Sequence, residues 1–252
     1  MSLKGRIALV TGASGGIGTA ICRLLASQGC SIALHYNSDQ DGSDRLWEEL
    51  EEMYSSQYGS KFVAHQADMG DYNQVRKLHE HVVNALGPPT ILINNAGSTG
   101  GHSRVTSVDS VPLDDFEKTW RINCGSAYLL TQLCMPAMES EGWGRVIFIS
   151  SAAGFTGGVV GPHYASSKAA LHGLIHWLAG AYAKKGVTVN GVAPALIEET
   201  KMLPGSSAEL SSKIPVGRLG RPEEVAETVL WMVKTSYVTN KVIGVDGGMF
   251  PQ

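Results

Sequence analysis

The sequence predicts an α/β fold: a single domain over residues 1–252, built on a doubly wound parallel sheet of about seven strands with helices on both faces. Three observations predict it. Short apolar runs alternate with stretches of helical pattern along the chain. No internal repeat or linker interrupts that alternation. Gly12, Asn94, Ser151 and Pro194 each close an apolar run, and in such a sheet those C-terminal ends form the ligand-binding edge.

The first strand is Arg6–Thr11, and Ile17–Gln28 follows as a helix with apolar positions at Ile17, Ile21, Leu24 and Leu25. Between them, Gly12-Ala-Ser-Gly-Gly-Ile-Gly18 carries glycines that let backbone approach a diphosphate at a helix N-terminus, as in a Rossmann-like unit. Gly12, Ser14, Gly16, Ile17 and Gly18 are therefore candidate cofactor contacts. The spacing departs from Gly-x-Gly-x-x-Gly, and glycines can also serve only a tight turn. Ser31–Tyr36 is the second strand, whose end reads the adenosine ribose in dinucleotide-binding units. An acidic residue there selects NAD; this chain has Tyr36, Asn37 and Ser38, with Asp39 further on. That favours NADP, and the lack of a nearby cation limits the preference to a modest one. Alternatively, Tyr36 only stacks or packs.

Asp44–Tyr54 reads as a charged helix, Lys61–Gln66 as the third strand, and Asp71–Leu86 as a helix capped by Asp71. Asp68 and Met69 follow the third strand; Asp68 either accepts from an adenine amine or serves a turn. Thr90–Gly97 is the fourth strand, and its end at Asn95, Ala96 and Gly97 suits a flat ligand approaching closely. Ser98–Val111 is a polar rim loop. Leu113–Glu139 is a long helical stretch with Asn123 in its middle, a poor helix former that marks either a bend or a polar relay. Val146–Ile149 is the core of the fifth strand, and Ser151 stands at its mouth. Val187–Ala193 is the sixth strand. The Pro-, Gly- and Ser-rich segment after it is expected to form a mobile lid near 195–215, with Pro194, Ala195, Ile197 and Thr200 beside the cofactor. Pro222–Val233 is a helix opened by proline, and Lys241–Gly248 the last strand.

Tyr164 and Lys168 lie four apart in an Ala- and Leu-rich helix, so they share a face. An ammonium beside a phenol favours the phenolate, and at about 4 Å with an effective dielectric of about 20 it contributes roughly 4 kcal/mol. That is the size needed to bring the phenol near neutrality. The pair alone carries little weight among eight tyrosines; the phosphate-binding loop gives it more.

A formal charge of −3, with scattered Lys and Arg, provides no basic patch for nucleic acid or anionic lipid. No apolar run approaches the roughly 20 residues of a membrane span, and Met1–Lys4 leads straight into a strand, so a cytoplasmic location is expected. Cys22, Cys30, Cys124 and Cys134 lack paired spacing and read as structural. His172 and His176 have no Glu or Cys to complete a metal motif.

Taken together, Thr11–Gly18, Asn94-Asn-Ala-Gly97, Ser151 and Tyr164-Ala-Ser-Ser-Lys168 resemble the short-chain dehydrogenase/reductase family over nearly the whole chain. Gly217–Ala226 and Val245–Gly248 are similar to its 3-oxoacyl-acyl-carrier-protein reductase branch. The resemblance implies NADP(H) as cofactor and reduction of a ketone, either a small molecule or an acyl thioester. It implies Tyr164 as general acid, Ser151 on the carbonyl oxygen, Lys168 on the nicotinamide ribose, and Asn123 supporting a proton relay. It also implies a homotetramer built partly through the helices bearing Asn123 and Tyr164. Three features depart from the branch: Ala195 follows Pro194 where glycine is usual, Thr200 comes one place late, and Ser14 and Gly15 replace a basic residue. The segment between Gly97 and Asn123 is also a few residues longer. An NAD-dependent alcohol dehydrogenase and a non-catalytic dinucleotide-binding regulator or scaffold subunit are the alternatives.

Overall fold

The computed structural model describes residues 2–200, 203, 207–212 and 214–250. β1 (Ile7–Val10) leads through the glycine turn into α1 (Gly16–Ala26), and β2 (Ser31–Tyr36) into α2 (Gln40–Leu50). The second helix starts earlier than its charge pattern predicts because the Asp39 carboxylate accepts the Gly42 N–H at 3.1 Å and caps it. It continues through a π turn, Glu51–Ser55, into α3 (Ser56–Tyr58), which ends at Gly59 in the left-handed conformation. β3 (Phe62–Gln66) precedes α4 (Tyr72–Leu86), and the Asp71 side chain accepts the Asn73 N–H at 2.8 Å as the expected cap.

β4 (Ile91–Asn94) is followed by a 3₁₀ turn and then by α5 (Leu113–Trp120), a π turn at Arg121–Gly125, and α6 (Ser126–Ser140) without a break. β5 (Gly144–Ile149), α7 (Ala153–Thr156), α8 (Pro162–Tyr182), β6 (Val187–Pro194), α9 (Ser207–Ser211), α10 (Pro222–Lys234) and β7 (Val242–Val245) complete the order. Of the segment 195–215 expected as a lid, residues 201, 202, 204–206 and 213 lie outside the described residues. Ile197 bridges to Gly220 in parallel, which ties its start to the segment entering α10.

All seven strands are parallel in the order β3-β2-β1-β4-β5-β6-β7. Side chains alternate between two cores. Ala8, Val10, Ile32, Leu34 and Ile147 meet α1 and α10 on one face, whereas Leu9, Ala33, Val146 and Phe148 meet α4, α6 and α8 on the other. A sheet covered on both faces needs continuous apolar runs, and every residue of β5 is buried. The chain winds outward from β1 to β3, then crosses back to β4 on the other side of β1. The crevice at that reversal is where a doubly wound sheet accepts a ligand. No helix among the described residues is long and apolar enough to cross a membrane.

Candidate active site

A cavity of about 400 Å³ opens at the C-terminal ends of β1, β4 and β5. The glycine turn contributes Gly12, Ser14, Gly16, Ile17 and Gly18, and the segments after β2 and β3 contribute Asn37, Ser38, Asp68 and Met69. Asn95, Ala96 and Gly97 follow β4. Ser151, Tyr164 and Lys168 form the far wall, and Pro194, Ala195, Ile197 and Thr200 close it from β6. Of the residues predicted for the site, Tyr36 and Asn123 stand outside this lining. Tyr36 ends β2 between His35 and Asn37, which both line the cavity; successive strand side chains point to opposite faces, and that turns Tyr36 away from it.

The turn at Gly12 is built for backbone approach. Gly12 has φ +65°, and a Cβ there would sit 3.1 Å from Asn95 Nδ2; one at Gly16 would come 2.5 Å from the Glu199 carbonyl oxygen. Gly18 leaves no room for a Cβ beside the Gly12 carbonyl oxygen. No side chain caps the N-terminus of α1 and no acidic residue occupies its first turn, so its N–H groups face the cavity as an anion site. These features fit the diphosphate of a dinucleotide.

His35, a residue of β2, holds this turn in place. Its Nδ1 accepts the Gly12 N–H at 3.0 Å, which leaves Nε2 as the protonated nitrogen, donating to the Ala67 carbonyl at 2.9 Å. The imidazole is buried, and that burial pushes its pKa down to about 4 despite the Ala67 bond. Thr11 and Asn95 form a second tie: Thr11 Oγ1 accepts the N–H groups of Asn95 and Ala96, each at 2.9 Å, and Asn95 Nδ2 donates to the carbonyls of Thr11 and Gly12. A histidine inside the apolar run of β2 was the available signal. Its partners were not, because they come from other strands.

Asn123 lies in the π turn, a local departure from α-helical winding, and is buried. Its Oδ1 accepts the Ser98 N–H at 2.7 Å, and its Nδ2 donates to the Ser98 carbonyl and to Ser167 Oγ, both at 2.9 Å. The amide thus grips the loop after β4 like a strand partner. A Cβ on Gly97 would come 3.3 Å from Lys168 Nζ and 3.4 Å from Asn123 Oδ1, so the loop passes directly over the lysine. Asp68 uses its Oδ1 to accept the Gly70 N–H at 2.7 Å, the turn role foreseen as one alternative, while also lining the cavity.

Ser151 and Tyr164 line the same wall of the cavity, and the serine hydroxyl acts on the phenol. Lys168 is buried and donates its ammonium to the Ile149 carbonyl at 2.7 Å, with Nζ 5.8 Å from the Tyr164 ring centroid. Here the electrostatic expectation is corrected. Burial pushes the Tyr164 phenol above its ordinary range and the Ser151 hydroxyl pulls it back only in part. The same burial brings Lys168 down to about 8, with a small opposing influence from Cys124. Desolvation outweighs the lysine's field because both groups sit in the same dry pocket and the ammonium is aimed at a carbonyl.

Gly15, His35, Asp39, Ser98, Ile122, Ile149 and Ser150 also line the cavity and were not foreseen. All but Ile149 adjoin a predicted residue in sequence. Cys22, Cys30 and Cys134 are buried free thiols, and no group of three metal-ligating side chains occurs among the described residues. His172 pairs with Ser150 at 2.8 Å and stacks on Phe155, while His176 pairs with Asn240.

A hydroxyl, a phenol and an amine gathered at the reversal point of a Rossmann-like sheet, beside a glycine-lined anion site, define an oxidoreductase. The chain belongs to the short-chain dehydrogenase family, whose pattern matches residues 6–211. It is 36% identical to the 3-oxoacyl-[acyl-carrier-protein] reductase FabG of Aquifex aeolicus (strain VF5), over 99% of each chain. It is 32% identical to the L-rhamnose 1-dehydrogenase (NADP(+)) of Thermoplasma acidophilum, over 99% of this chain and 98% of that one. A crystal structure of a blue fluorescent protein from a metagenomic library in complex with NADPH superposes over 100% of both chains, with a TM-score of 0.89 and 36% identity.

The unfolded chain takes up a proton at His35 near pH 6.5 and the folded chain only near pH 4. This stabilisation is complete above pH 6.5 and is lost as the pH falls towards 4, amounting to roughly 3 kcal/mol at about 1.36 kcal/mol per pH unit. His35→Asn keeps an acceptor near the Gly12 N–H but does not titrate. Wild type should therefore lose roughly 3 kcal/mol relative to His35→Asn between pH 7 and pH 4, measured by urea unfolding. Parallel stability profiles would show that His35 does not hold the turn in its neutral form.

Proposed function

We propose that this chain reduces a ketone to a secondary alcohol with NADPH. One observation carries the proposal: Ser151 and Tyr164 both line the glycine-edged cavity and also a second cavity of about 590 Å³ beside it. Ala195, Ile197 and Thr200 lie on the same shared wall. A carbonyl at that wall meets both groups at once.

NADPH, when bound, supplies the hydride, which passes to the carbonyl carbon while a proton passes to the carbonyl oxygen. Tyr164 holds that proton. A phenol pushed up by burial is protonated at neutral pH, the form a general acid requires. Ser151 donates to the carbonyl oxygen and fixes its direction. Lys168 stands behind the phenol with its ammonium on Ile149, where it would hold the nicotinamide ribose, and its attraction for the phenol oxygen grows as that oxygen gives up its proton. Asn123 holds the Gly97–Ser98 loop over Lys168, the support that a relay returning protons to Tyr164 needs. Asn37, Ser38 and Asp39 line the cavity where they would hold the adenosine ribose and bring no cation of their own, and the Asp39 carboxylate caps α2. The choice of NADPH follows from the NADP(+)- and NADPH-using relatives, and the ribose end allows it only a modest margin.

The reductase relatives support a 3-oxoacyl thioester as substrate, whereas Ala195 and the longer rim loop favour a free ketone. Exposed Tyr128 on α6 and Trp177 on α8 support a homotetramer built through those helices. Light scattering should give the mass of four chains, and a monomer at micromolar concentration would remove that part of the proposal.

Tyr164→Phe should lower kcat by about 10²–10⁴-fold while leaving NADPH affinity within a few-fold. Full activity in that variant would show that the proton comes from elsewhere. In fluorescence titrations NADPH should bind up to about tenfold more tightly than NADH, the scale of a single charged hydrogen bond. Tighter binding of NADH would reverse the cofactor assignment.

A further inference from the structure

The second cavity has a charge that the reduction chemistry does not use. Its walls are mainly apolar, with Val105, Val160, Leu196, Leu203 and Met249 around the shared Ser151–Tyr164 wall. Arg104 is the basic residue among the described residues that line it. It is exposed, and among the described residues its guanidinium makes no hydrogen bond or ion pair. Glu209, the acidic residue of the same lining, has a partner of its own.

The backbone places Arg104 deliberately. Its φ of +55° is left-handed, a conformation that a long side chain adopts at a cost and keeps only when the surroundings impose it. Those surroundings are identifiable. His163 is fully buried one residue before Tyr164, and its Nε2 donates to the Thr99 carbonyl at 2.7 Å. The next tie is the Val105 N–H, which donates to the Val160 carbonyl at 3.3 Å. Between these two anchors the loop turns through Gly100 and Gly101, both at positive φ, and carries Arg104 to the cavity wall. The same histidine that precedes the proposed acid thus fixes the loop that bears the cation.

Resting on the reductase reading of Ser151 and Tyr164, we propose that Arg104 selects ketones with an apolar body and an anionic group, a carboxylate or a phosphate. The apolar wall takes the body of the substrate at the Ser151–Tyr164 end. The guanidinium, with its planar set of donors, takes the anion at the rim, where a two-pronged contact to carboxylate or phosphate is geometrically available. Arg104 is a specificity residue: it touches a part of the substrate remote from the reacting carbonyl, so it acts on KM more than on kcat.

The test uses the full chain with NADPH and three probes: 5-oxooctanoate, its methyl ester, and acetoacetyl-coenzyme A. Wild type is compared with Arg104→Gln and Arg104→Lys, reading kcat and KM for each probe and, by calorimetry on the NADPH-loaded protein, binding of the acid and the ester. We expect Arg104→Gln to raise KM for the oxo acid about tenfold with kcat within twofold and with the ester unchanged; Arg104→Lys should restore part of the loss. A loss confined to the acid places the anion on a free substrate, and an equal loss with the coenzyme A thioester places it on a carrier's phosphate. Acid-to-ester ratios, in turnover and in binding, that are the same in wild type and Arg104→Gln would overturn the proposal. If no ketone is turned over but acid binding still depends on Arg104, the anion site stands and the reductase reading fails.

Discussion

Thr11 and Asn95 tie together the ends of two neighbouring strands whose following helices leave on opposite faces of the sheet, and the rest of the site depends on that tie. Where α1 departs to one side and α5–α6 to the other, the backbone cannot close over the strand ends, and a crevice is left. Such an opening would splay without cross-links. Thr11 Oγ1 accepts two backbone N–H groups and Asn95 returns a donor to two carbonyls, so the orphaned polar groups at the ends of β1 and β4 satisfy one another. His35 adds the third strand to this assembly through Gly12 and Ala67. The glycine turn is therefore held from both flanks, which leaves the uncapped first N–H groups of α1 to face an anion.

The far wall obeys a different constraint, the cost of burying ionisable groups. Tyr164 and Lys168 share one face of α8 beneath the Gly97–Ser98 loop, and neither is open to bulk water. Desolvation moves both towards their neutral forms, the phenol upward and the lysine to about 8. The lysine is kept from being an uncompensated charge by the Ile149 carbonyl at the end of β5, so the strand that presents Ser151 also anchors the amine. Asn123 completes the enclosure from the π turn between α5 and α6. Three elements distant in sequence thus set the protonation state of one phenol, and the pocket holds it as an acid.

The strand and helix order was legible because it rests on local signals. Apolar runs of strand length, the cap at Asp71, the proline at the start of α10 and the glycines at 12, 16 and 18 each carry their meaning within a few residues. Helix starts were less legible: α2 begins at Gln40 because Asp39 turns its carboxylate back onto Gly42, a contact that the charge pattern does not announce. Tyr36 ends a strand beside the site, but the alternation of strand side chains turns it away while His35 and Asn37 on either side line the cavity. Asn123 is an oddity in a helical sequence, and both its place in a π turn and its grip on Ser98 are visible only in three dimensions.

The sequence by itself determined the parallel α/β order, the anion-binding turn, and the hydroxyl, phenol and amine of the site, because each is written in residue types and short spacings. Only the tertiary structure decided what those groups experience. Whether Lys168 lowers the Tyr164 pKa depends on how dry their shared pocket is and on which carbonyl the ammonium faces. Which residues from the loop after Gly97 reach the second cavity depends on anchors at His163 and Val160, some sixty residues away in sequence. Burial and cross-strand contact are properties of chain segments brought together by packing; no local pattern encodes them.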